Sequence, residues 1–426
     1  MVAGAACEGL NVAVAGGGPA GLAAALLLRS IGCRVILFER FETPRPLGSG
    51  LMIQPTGLAV LDRLGLADRL RERASVIDRL FGKAAGSDRT VLDVRYKSIG
   101  PVRGFGVHRA TLFQLLFDAA KAAGVEIRTG RTITCEVADD GRRLTFADGL
   151  NEGPYDLLVD ALGHASPLAP PNGRVLPFGA LWASLDWPAA AGFDAGALEQ
   201  RYRRASAMVG VMPIGRPPGA ARPQAAFFWS LRADQYEAWR AAGLAPWKAE
   251  VLDFWPATAP LLDQVLEPEQ LTFARYAHRT LPRPVASRLV HIGDAWRSSS
   301  PQLGQGANIA LLDAYALALA LRREAYVETA LRLFTRLRRR HAHLYQLMSA
   351  AFTPVYQSDS RLLPVLRDRL AGPLSKIWPS TAILASMVAG LIGDPLTPLE
   401  LRGRKGSDLV SRAAELSAAT AEIGPV

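Results

Sequence analysis

The sequence predicts an α/β protein of two joined domains followed by a helical C-terminal region, and three observations support this fold class. A short apolar run, a glycine-rich turn, an alanine- and leucine-rich stretch and a second apolar run open the chain within residues 10–38. Alternating aromatic runs between proline- and glycine-rich loops then fill residues 174–280. A buried-strand pattern with a long apolar helix returns at 288–323. A chain of 426 residues, 49% of them hydrophobic, also exceeds one usual domain.

The first domain is expected from two separate stretches, residues 8–173 and 285–330. Apolar periodicity predicts its elements in this order: a strand at 10–15, a helix at 19–30, a strand at 34–38, helices within 56–73, a helix at 109–123, strands at 125–128, 131–137, 143–147 and 156–162, a strand at 288–293 and a helix at 306–323. Asp139, Asp140 and Gly141 suit a hairpin turn.

The intervening residues 174–284 predict a second, mainly antiparallel sheet, because their aromatic runs alternate and their loops are rich in proline and glycine. Residues 331–395 have helical periodicity and predict a helical C-terminal region. The tail at 396–426 is small, polar and weakly periodic, which indicates a surface helix or partial disorder.

The N-terminal unit carries a GxGxxG pattern between a strand and a helix, formed by Gly16, Gly18 and Gly21. The first glycine permits a tight turn, the second lets a pyrophosphate approach the backbone, and the third lets the helix pack against the sheet. Pro19 suits the first helical position, and it and Ala20 begin the helix whose free N–H groups attract phosphate. Glu39 ends the next strand, where a carboxylate accepts ribose hydroxyls. The pattern predicts dinucleotide binding and leaves NAD or FAD open.

A second motif, HIGDAWRSSSPQLGQGANIALLDAYALALAL at residues 291–321, decides between them. With GGGPAGLAAALLL and the Glu39–Arg40 pair, it resembles the class A FAD-dependent monooxygenases, the p-hydroxybenzoate-hydroxylase-like family that includes ubiquinone-biosynthesis hydroxylases. The matching positions are Gly293, Asp294, Pro301, Gly304, Gln305, Gly306, Ala307 and Asn308.

The resemblance implies a Rossmann-like FAD-binding domain of the glutathione-reductase type that holds FAD tightly without a covalent bond. Asp294 would accept hydrogen bonds from the ribityl chain, and the backbone at Gly304 and Gly306 would lie against the isoalloxazine edge. The helix that starts near Gly306 would stabilise negative charge on reduced flavin, which in a partly buried site amounts to about 2 kcal/mol at most.

Further residues match the family more loosely. Arg40 and Arg45 are expected near the cofactor, and Arg109 is expected either at the flavin or pyrophosphate or in a surface ion pair. Met52 and Gln54 lie in the stretch that passes the flavin ring in the family, so they are expected either at the reaction site or in buried packing. We predict catalytic roles for Arg297, Gln54 and Pro301.

Two positions depart from the family. The usual acidic residue of its third motif, associated with FAD and NAD(P)H contacts, is Leu162, and Asp160 lies two residues earlier on the same face of the strand. In the second motif, Trp296 and Arg297 replace the usual alanine and histidine. The use of NAD(P)H is therefore less firmly implied than FAD binding.

The resemblance implies a monooxygenase in which NAD(P)H reduces FAD, O₂ forms a C4a-hydroperoxyflavin, and a hydroxyl group passes to an apolar, aromatic small molecule. An oxidase, a reductase or a halogenase on the same fold is the alternative. A second alternative is a protein that binds flavin without catalysing a reaction. The residues that we expect to form the substrate pocket are Met52, Trp182, Phe227, Trp229, Tyr276 and His278.

Composition bears on the partners, the metal content and the location that we expect for this protein. The net charge of +10 is spread along the chain and carried mostly by arginine, so no nucleic-acid partner is expected. The three cysteines form no CxxC pair, and no metal-binding motif is present, which favours a cytoplasmic protein without a metal site. Residues 377–393 carry no charge but are short for a membrane span, so a buried helix is expected, with peripheral membrane contact as the alternative. A monomer or a homodimer is expected.

Overall fold

The structure is a computed structural model that describes residues 7–43, 49–138 and 141–402. The strands are β1 (Asn11–Ala15), β2 (Arg34–Phe38), β3 (Gly50–Ile53), β4 (Ser75–Ile77), β5 (Arg79–Ala84), β6 (Thr90–Arg95), β7 (Gly104–His108), β8 (Glu126–Arg128), β9 (Ile133–Ala138), β10 (Arg142–Phe146), β11 (Asn151–Tyr155), β12 (Leu157–Asp160), β13 (Arg174–Asp186), β14 (Ala197–Arg203), β15 (Ala207–Pro213), β16 (Gln224–Arg232), β17 (Thr272–Thr280), β18 (Val285–Ala286), β19 (Leu289–His291) and β20 (Arg297–Ser298).

The helices are α1 (Pro19–Ser30), α2 (Pro55–Arg63), α3 (Ala67–Arg71), α4 (Arg109–Ala122), α5 (Tyr236–Ala242), α6 (Leu244–Phe254), α7 (Ala259–Leu262), α8 (Gly306–Arg323), α9 (Val327–Tyr356), α10 (Leu362–Leu366), α11 (Gly372–Leu374) and α12 (Ser380–Val388). Residues Asp139 and Asp140, Arg45 and the tail from 403 to 426 lie outside the described residues.

A six-stranded sheet in the order β18-β19-β12-β1-β2-β8 forms the centre of the first domain. It is parallel except for the pair β18 and β19, and α1, α4 and α8 contribute to the hydrophobic core that covers it. Parallel strands end at the same edge of a sheet, so the loops after β1, β2, β12 and β19 meet there. The α/β fold predicted from the sequence is confirmed, and α8 has the predicted bounds of 306–323.

An eight-stranded sheet in the order β20-β17-β13-β16-β15-β14-β5-β6 forms the second layer. Its pairings are antiparallel except for β14 with β5, as the sequence predicted for the main part of the sheet. Two of its strands, β5 and β6, come from the stretch 8–173. The sheet therefore combines chain segments that the sequence analysis assigned to separate domains.

The two faces of this large sheet have different partners. Phe227 and Trp229 are buried on the outer face, where Trp247 and Phe254 of α6 cover them. Side chains on the opposite face, such as Trp182, point toward the first domain. Because successive side chains of a strand alternate between faces, Phe227 and Trp229 cannot share a pocket with Trp182. Their assignment to the substrate pocket is corrected: they are core residues.

The C-terminal region is helical, as predicted. The helix α9 runs beside α8 and reaches the large sheet near its end, and α10 continues through a π-helical turn at Arg367–Ala371 into α11. In α12 the side that carries Ala385 and Val388 is buried. None of the helices in the described ranges is long and apolar enough to cross a membrane.

We expect Phe227→Ala to lower the free energy of unfolding by about 3–5 kcal/mol, because it opens a cavity between β16 and α6. Urea denaturation measures this. The matched control is Val175→Ala in the neighbouring strand, where the side chain is 67% exposed and its loss is expected to change stability little. A near-neutral Phe227→Ala would contradict the assignment of this side chain to the core.

Candidate cofactor and substrate site

The turn after β1 shows the three separate tasks of its glycines. Gly16 has a φ of +105°, and a Cβ there would lie 2.7 Å from the carbonyl oxygen of Ala161. A Cβ on Gly21 would lie 1.9 Å from the carbonyl oxygen of Gly16, so α1 packs directly on the turn. A Cβ on Gly18 would meet nothing within 4 Å. The backbone at Gly18 therefore faces open space, which fits the close approach of a pyrophosphate.

The N-terminus of α1 is available to an anion. Gly18 is the N-cap residue and makes no side-chain cap, and Pro19 takes the first helical position. The following N–H groups, beginning with Ala20, have no partner within the helix because the first turn of any helix lacks one. Their dipoles point toward the open space at Gly18.

Glu39 follows β2 and lies beside this turn. Its carboxylate accepts hydrogen bonds from the backbone N–H of Gly17, at 2.7 Å, and of Phe41, at 3.1 Å. These bonds hold the carboxylate at the sheet edge, half-buried, where a ribose would lie. Arg40 is exposed and stacks over the ring of Phe41 at 4.7 Å.

The second glycine turn follows β19 and lies against the first. Gly293 has a φ of +55°, and a Cβ there would lie 3.1 Å from the Cβ of Ala20 in α1 and 3.4 Å from that of Ala310 in α8. The turn therefore fits between the two helices only because its neighbours are small. It presents Asp294 to solvent.

Asp294 is accessible to solvent although protein surrounds it on most sides, as expected for a carboxylate in a groove. Desolvation raises its pKa above the ordinary value, against the lowering by the charges of His164, Arg109 and Arg297. Arg109 is exposed at the first position of α4, and its backbone N–H donates to the carbonyl oxygen of Ser49. The structure therefore brings Gly18, Asp294 and Arg109 to one edge of the first domain.

The loop before α8 contains a short 3₁₀ turn at Pro301–Leu303 and then Gly304, which has a φ of +61°. A Cβ on Gly306, the first residue of α8, would meet nothing within 4 Å. The start of α8, with Gly306 and Ala307, thus has open space beside its backbone. This fits a flat ring that lies against the loop.

Asn308 ties this loop to the strand β3. Its side-chain amide donates to the carbonyl oxygens of Met52 and Gly304, each at 3.0 Å, and its carbonyl oxygen accepts from the N–H of Gln54 at 2.8 Å. Asn308 is fully buried, so its observed role is to position the backbone.

Gln54 is fully buried too, and its side-chain oxygen accepts a hydrogen bond of 2.5 Å from the hydroxyl of Tyr96. Of the two alternatives from the sequence, buried packing describes Gln54 better than a place at the reaction site. Met52 is also buried and packs on Met212 and Ala226 of the large sheet.

On the inner face of the large sheet, three aromatic side chains form one group. The indole N–H of Trp182 donates to the hydroxyl oxygen of Tyr276 at 2.8 Å, and Trp182 packs on Phe228 with ring centroids 4.7 Å apart. Burial raises the pKa of Tyr276 to about 12, so its hydroxyl is protonated at neutral pH. Phe228 lies opposite Trp182 in the pairing of β13 with β16, so strand alternation places both side chains on the same face.

His278 lies two residues along β17 from Tyr276 and is half-buried. Its Nε2 lies 3.4 Å from the hydroxyl of Thr353 in α9. Desolvation, with a smaller effect of Arg174, lowers its pKa below the ordinary value. It therefore contacts the C-terminal helix as a neutral side chain at neutral pH.

Arg297 does not reach this face. Its guanidinium is buried and pairs with the carboxylate of Asp313 at 3.0 Å, and the same carboxylate accepts from Arg338 at 2.8 Å and from the N–H of Gly293 at 3.1 Å. Burial lowers the pKa of Arg297 to about 10. The structure does not support a substrate contact for Arg297: it holds the second glycine turn from behind. The charged Asp313 inside an apolar helix was the sequence feature that could have revealed this.

Asp160, which the sequence analysis considered for the third motif, is also buried. Its carboxylate accepts from the N–H of Leu162 at 3.0 Å and the hydroxyl of Ser166 at 2.7 Å, and lies 2.7 Å from Nδ1 of His291. It stabilises the loop after β12 and does not present its charge to the groove.

We expect His341 to make the protein less stable at mildly acidic pH. This side chain is buried beside Arg338, and burial lowers its pKa to about 2 from the ordinary 6.5. Between these values the unfolded chain binds the proton and the folded chain does not, so the free energy of unfolding falls by ~1.4 kcal/mol for each pH unit below 6.5.

Urea denaturation at several pH values tests this. His341→Gln is expected to remove that part of the slope, and His343→Gln, at an exposed position of the same helix, is expected to keep it. An equal slope in wild type and His341→Gln would contradict the prediction.

Comparisons with known proteins agree with this geometry. A family model described as "FAD binding domain" matches residues 9–158. The putative 2-heptyl-3-hydroxy-4(1H)-quinolone synthase AqdB1 of Rhodococcus erythropolis is 29% identical over 335 residues, covering 75% of this chain and 81% of that protein. The 3-amino-4-hydroxybenzoate 2-monooxygenase of Streptomyces cremeus is 35% identical over 159 residues, 36% of this chain and 40% of that protein.

The fold is also similar to a solved structure, that of Klebsiella pneumoniae HpxO complexed with FAD and uric acid. The TM-score is 0.76 at 20% identity, and the match covers 91% of this chain and 98% of that one. The two glycine turns, the family model and the relatives point in one direction. This chain is an FAD-dependent oxidoreductase, and it is similar to the class A FAD-dependent monooxygenases.

Proposed function

We propose that this protein is a monooxygenase that hydroxylates an apolar, aromatic small molecule, with NAD(P)H as the reductant and O₂ as the oxidant. One observation carries the proposal: open space beside the backbone at Gly18 and Gly306, next to an accessible Asp294, in a protein whose large sheet presents aromatic side chains toward the same domain. A cytoplasmic location and a monomeric or homodimeric state are part of the proposal.

The residues at the sheet edge fit FAD. Gly16, Gly18 and the N-terminus of α1 would hold the pyrophosphate, and Glu39 would accept the ribose hydroxyls. Asp294 would accept from the ribityl chain, with Arg109 supplying a nearby positive charge. The backbone from Gly304 to Asn308 would lie along the ring. When bound, FAD supplies the electron transfer and the activation of O₂ that side chains cannot provide.

The chain itself binds and orients the substrate. Trp182 and Phe228, whose rings are tilted by 32° to each other, offer aromatic surface, which favours another aromatic ring. Tyr276 uses its oxygen to accept from Trp182, so its own proton is left to donate to a polar atom of the substrate. The names of the relatives support this class, since a quinolone, an aminohydroxybenzoate and uric acid each contain a ring of this kind.

The protein also excludes water from the reaction. Met52, Trp182 and Met212 belong to one buried apolar cluster, and α12 packs on it through Ala385 and Val388. An apolar, enclosed site is needed because water would compete with the substrate for activated oxygen.

We expect Asp294→Ala to weaken FAD binding about 10- to 100-fold, which corresponds to the loss of one or two hydrogen bonds to a charged group. Equilibrium dialysis of the apoprotein with FAD measures this. Glu237→Ala, which removes an exposed carboxylate on α5, is the matched control and is expected to keep full affinity. Unchanged FAD affinity in Asp294→Ala would count against the second motif as a cofactor contact.

We expect the holoenzyme to consume NAD(P)H in the presence of an aromatic substrate and to place one atom from labelled O₂ in the product, detected by mass spectrometry. Tyr276→Phe is expected to raise KM more than it lowers kcat, because it removes a donor to the substrate and leaves the ring. Oxidation that yields hydrogen peroxide without NAD(P)H would replace the proposal with an oxidase reaction.

A further inference from the structure

The segment from 362 to 383 is unusual because its apolar side chains point outward. The described part of the chain has fourteen exposed large apolar side chains, and eight of them lie in this segment. They are Leu362, Val365, Leu366, Leu370, Leu374, Ile377, Trp378 and Ile383, and we call them the apolar patch. Scattered apolar side chains are normal on a protein surface, but such a concentration marks an interaction site.

The leucines of the patch recur every four residues, which places them on one face of the helical run from α10 to α11. Leu362, Leu366, Leu370 and Leu374 are between 45% and 66% exposed, and Trp378 continues the spacing with 79% of its surface exposed. A helix on a soluble protein usually turns its apolar stripe toward the core. This one turns it toward solvent.

Two charged residues of the same helical run, Arg367 and Asp368, are correspondingly buried. The guanidinium of Arg367 is buried, donates to Asp368 at 2.8 Å and to the carbonyl oxygens of Val355 and Arg204, and lies over the ring of Tyr202. These bonds fix the orientation of the run, so the outward direction of the leucines is built into the fold.

The charge around the patch indicates what covers it. Arg361, Arg369 and Lys376 are exposed along the segment, and Lys97 is exposed on the turn that contacts α12 through the bond from Ser98 to Thr381. The only acidic residue between 361 and 393 is Asp368, which is buried. The exposed charged side chains of the described residues 361–393 are therefore all positive.

We propose that the apolar patch docks on the surface of a membrane that contains anionic lipids. Apolar side chains with a terminal tryptophan insert at the boundary between headgroups and acyl chains, and lysine and arginine beside them attract anionic headgroups. A two-fold contact between two copies would instead place the same cationic rims opposite each other, which opposes self-association. The proposal concerns attachment to the surface, and it does not depend on the reaction that the enzyme catalyses.

The position of the patch links it to the candidate substrate site. The helix α12 exposes Ile383 on the patch, and its Leu384, Ala385 and Val388 pack on the cluster that contains Met52 and Trp182. If the proposed function holds, docking brings the pocket next to a membrane in which an apolar substrate is concentrated.

Co-sedimentation of the holoenzyme with lipid vesicles tests the docking. We expect the wild type to sediment with vesicles of equal parts phosphatidylglycerol and phosphatidylcholine, and more weakly with phosphatidylcholine alone. The double variant Ile377→Ser, Trp378→Ser is expected to bind at least about tenfold more weakly, because two inserted apolar side chains are lost. The charge variant Arg369→Glu, Lys376→Glu is expected to bind the anionic vesicles at least about tenfold more weakly. Its binding to vesicles of phosphatidylcholine alone is expected to stay as in the wild type.

The matched control is Leu266→Ser, which removes an isolated side chain that is 77% exposed, and it is expected to bind as the wild type does. Flavin content and thermal unfolding report whether each variant is folded. A wild type that stays in the supernatant with anionic vesicles overturns the proposal, and so does equal binding by the Ile377→Ser, Trp378→Ser variant. A dimer that depends on the patch, without vesicle binding, assigns the surface to a second copy and also overturns it.

Discussion

The buried carboxylate of Asp313 is the interaction on which the candidate site most depends. It accepts from the N–H of Gly293 and from the guanidinium groups of Arg297 and Arg338, and so joins the turn after β19, α8 and α9. An unpaired charge in the interior costs several kcal/mol, so none of these elements can move away without a large penalty. The accessible Asp294 owes its place to this inaccessible carboxylate.

The same turn imposes a second constraint, which is steric. The helices α1 and α8 approach closely enough that a Cβ on Gly293 would be tight against Ala20 and Ala310. Small side chains on both helices let two turns, distant in the chain, meet at one edge of the parallel sheet. The first of these turns begins α1, whose N-terminus stabilises negative charge at this edge. The close approach of α1 and α8 therefore determines both the packing of the two turns and the position of the helix N-terminus at the site.

The large sheet and the C-terminal helices supply the other side of the site. Trp182 and Phe228 share one face of the sheet because they lie opposite each other in the strand pairing, while Phe227 and Trp229 fill the core on the other face. The run from α10 to α11 reverses the usual distribution, with Arg367 inside and leucines outside. In the sheet and in the helical run alike, the face that packs against another element is buried and the other face has different surroundings. Residues that are neighbours in the chain therefore lie in different environments.

The resemblance to a known family implied the cofactor class. The sequence by itself determined the α/β fold class, the bounds of α8 and both glycine turns. It could do so because these features depend on local backbone requirements: glycine where φ is positive or another backbone is close, and apolar periodicity where an element is buried. The antiparallel character of the large sheet followed from the same local patterns.

Only the tertiary structure decided which residues of a correct element face the site. Arg297 and Gln54 lie in the segments that the sequence assigned to the site, but neither side chain faces it. Arg297 pairs with Asp313, 16 positions away in the chain, and Gln54 pairs with Tyr96, 42 positions away. The contribution of β5 and β6 to the second sheet could not be predicted from the sequence, because it depends on contacts with distant parts of the chain. The same is true of the outward leucines of α10 and α11. Local patterns show that a side chain will be buried or paired, but the partner is chosen by distant parts of the chain.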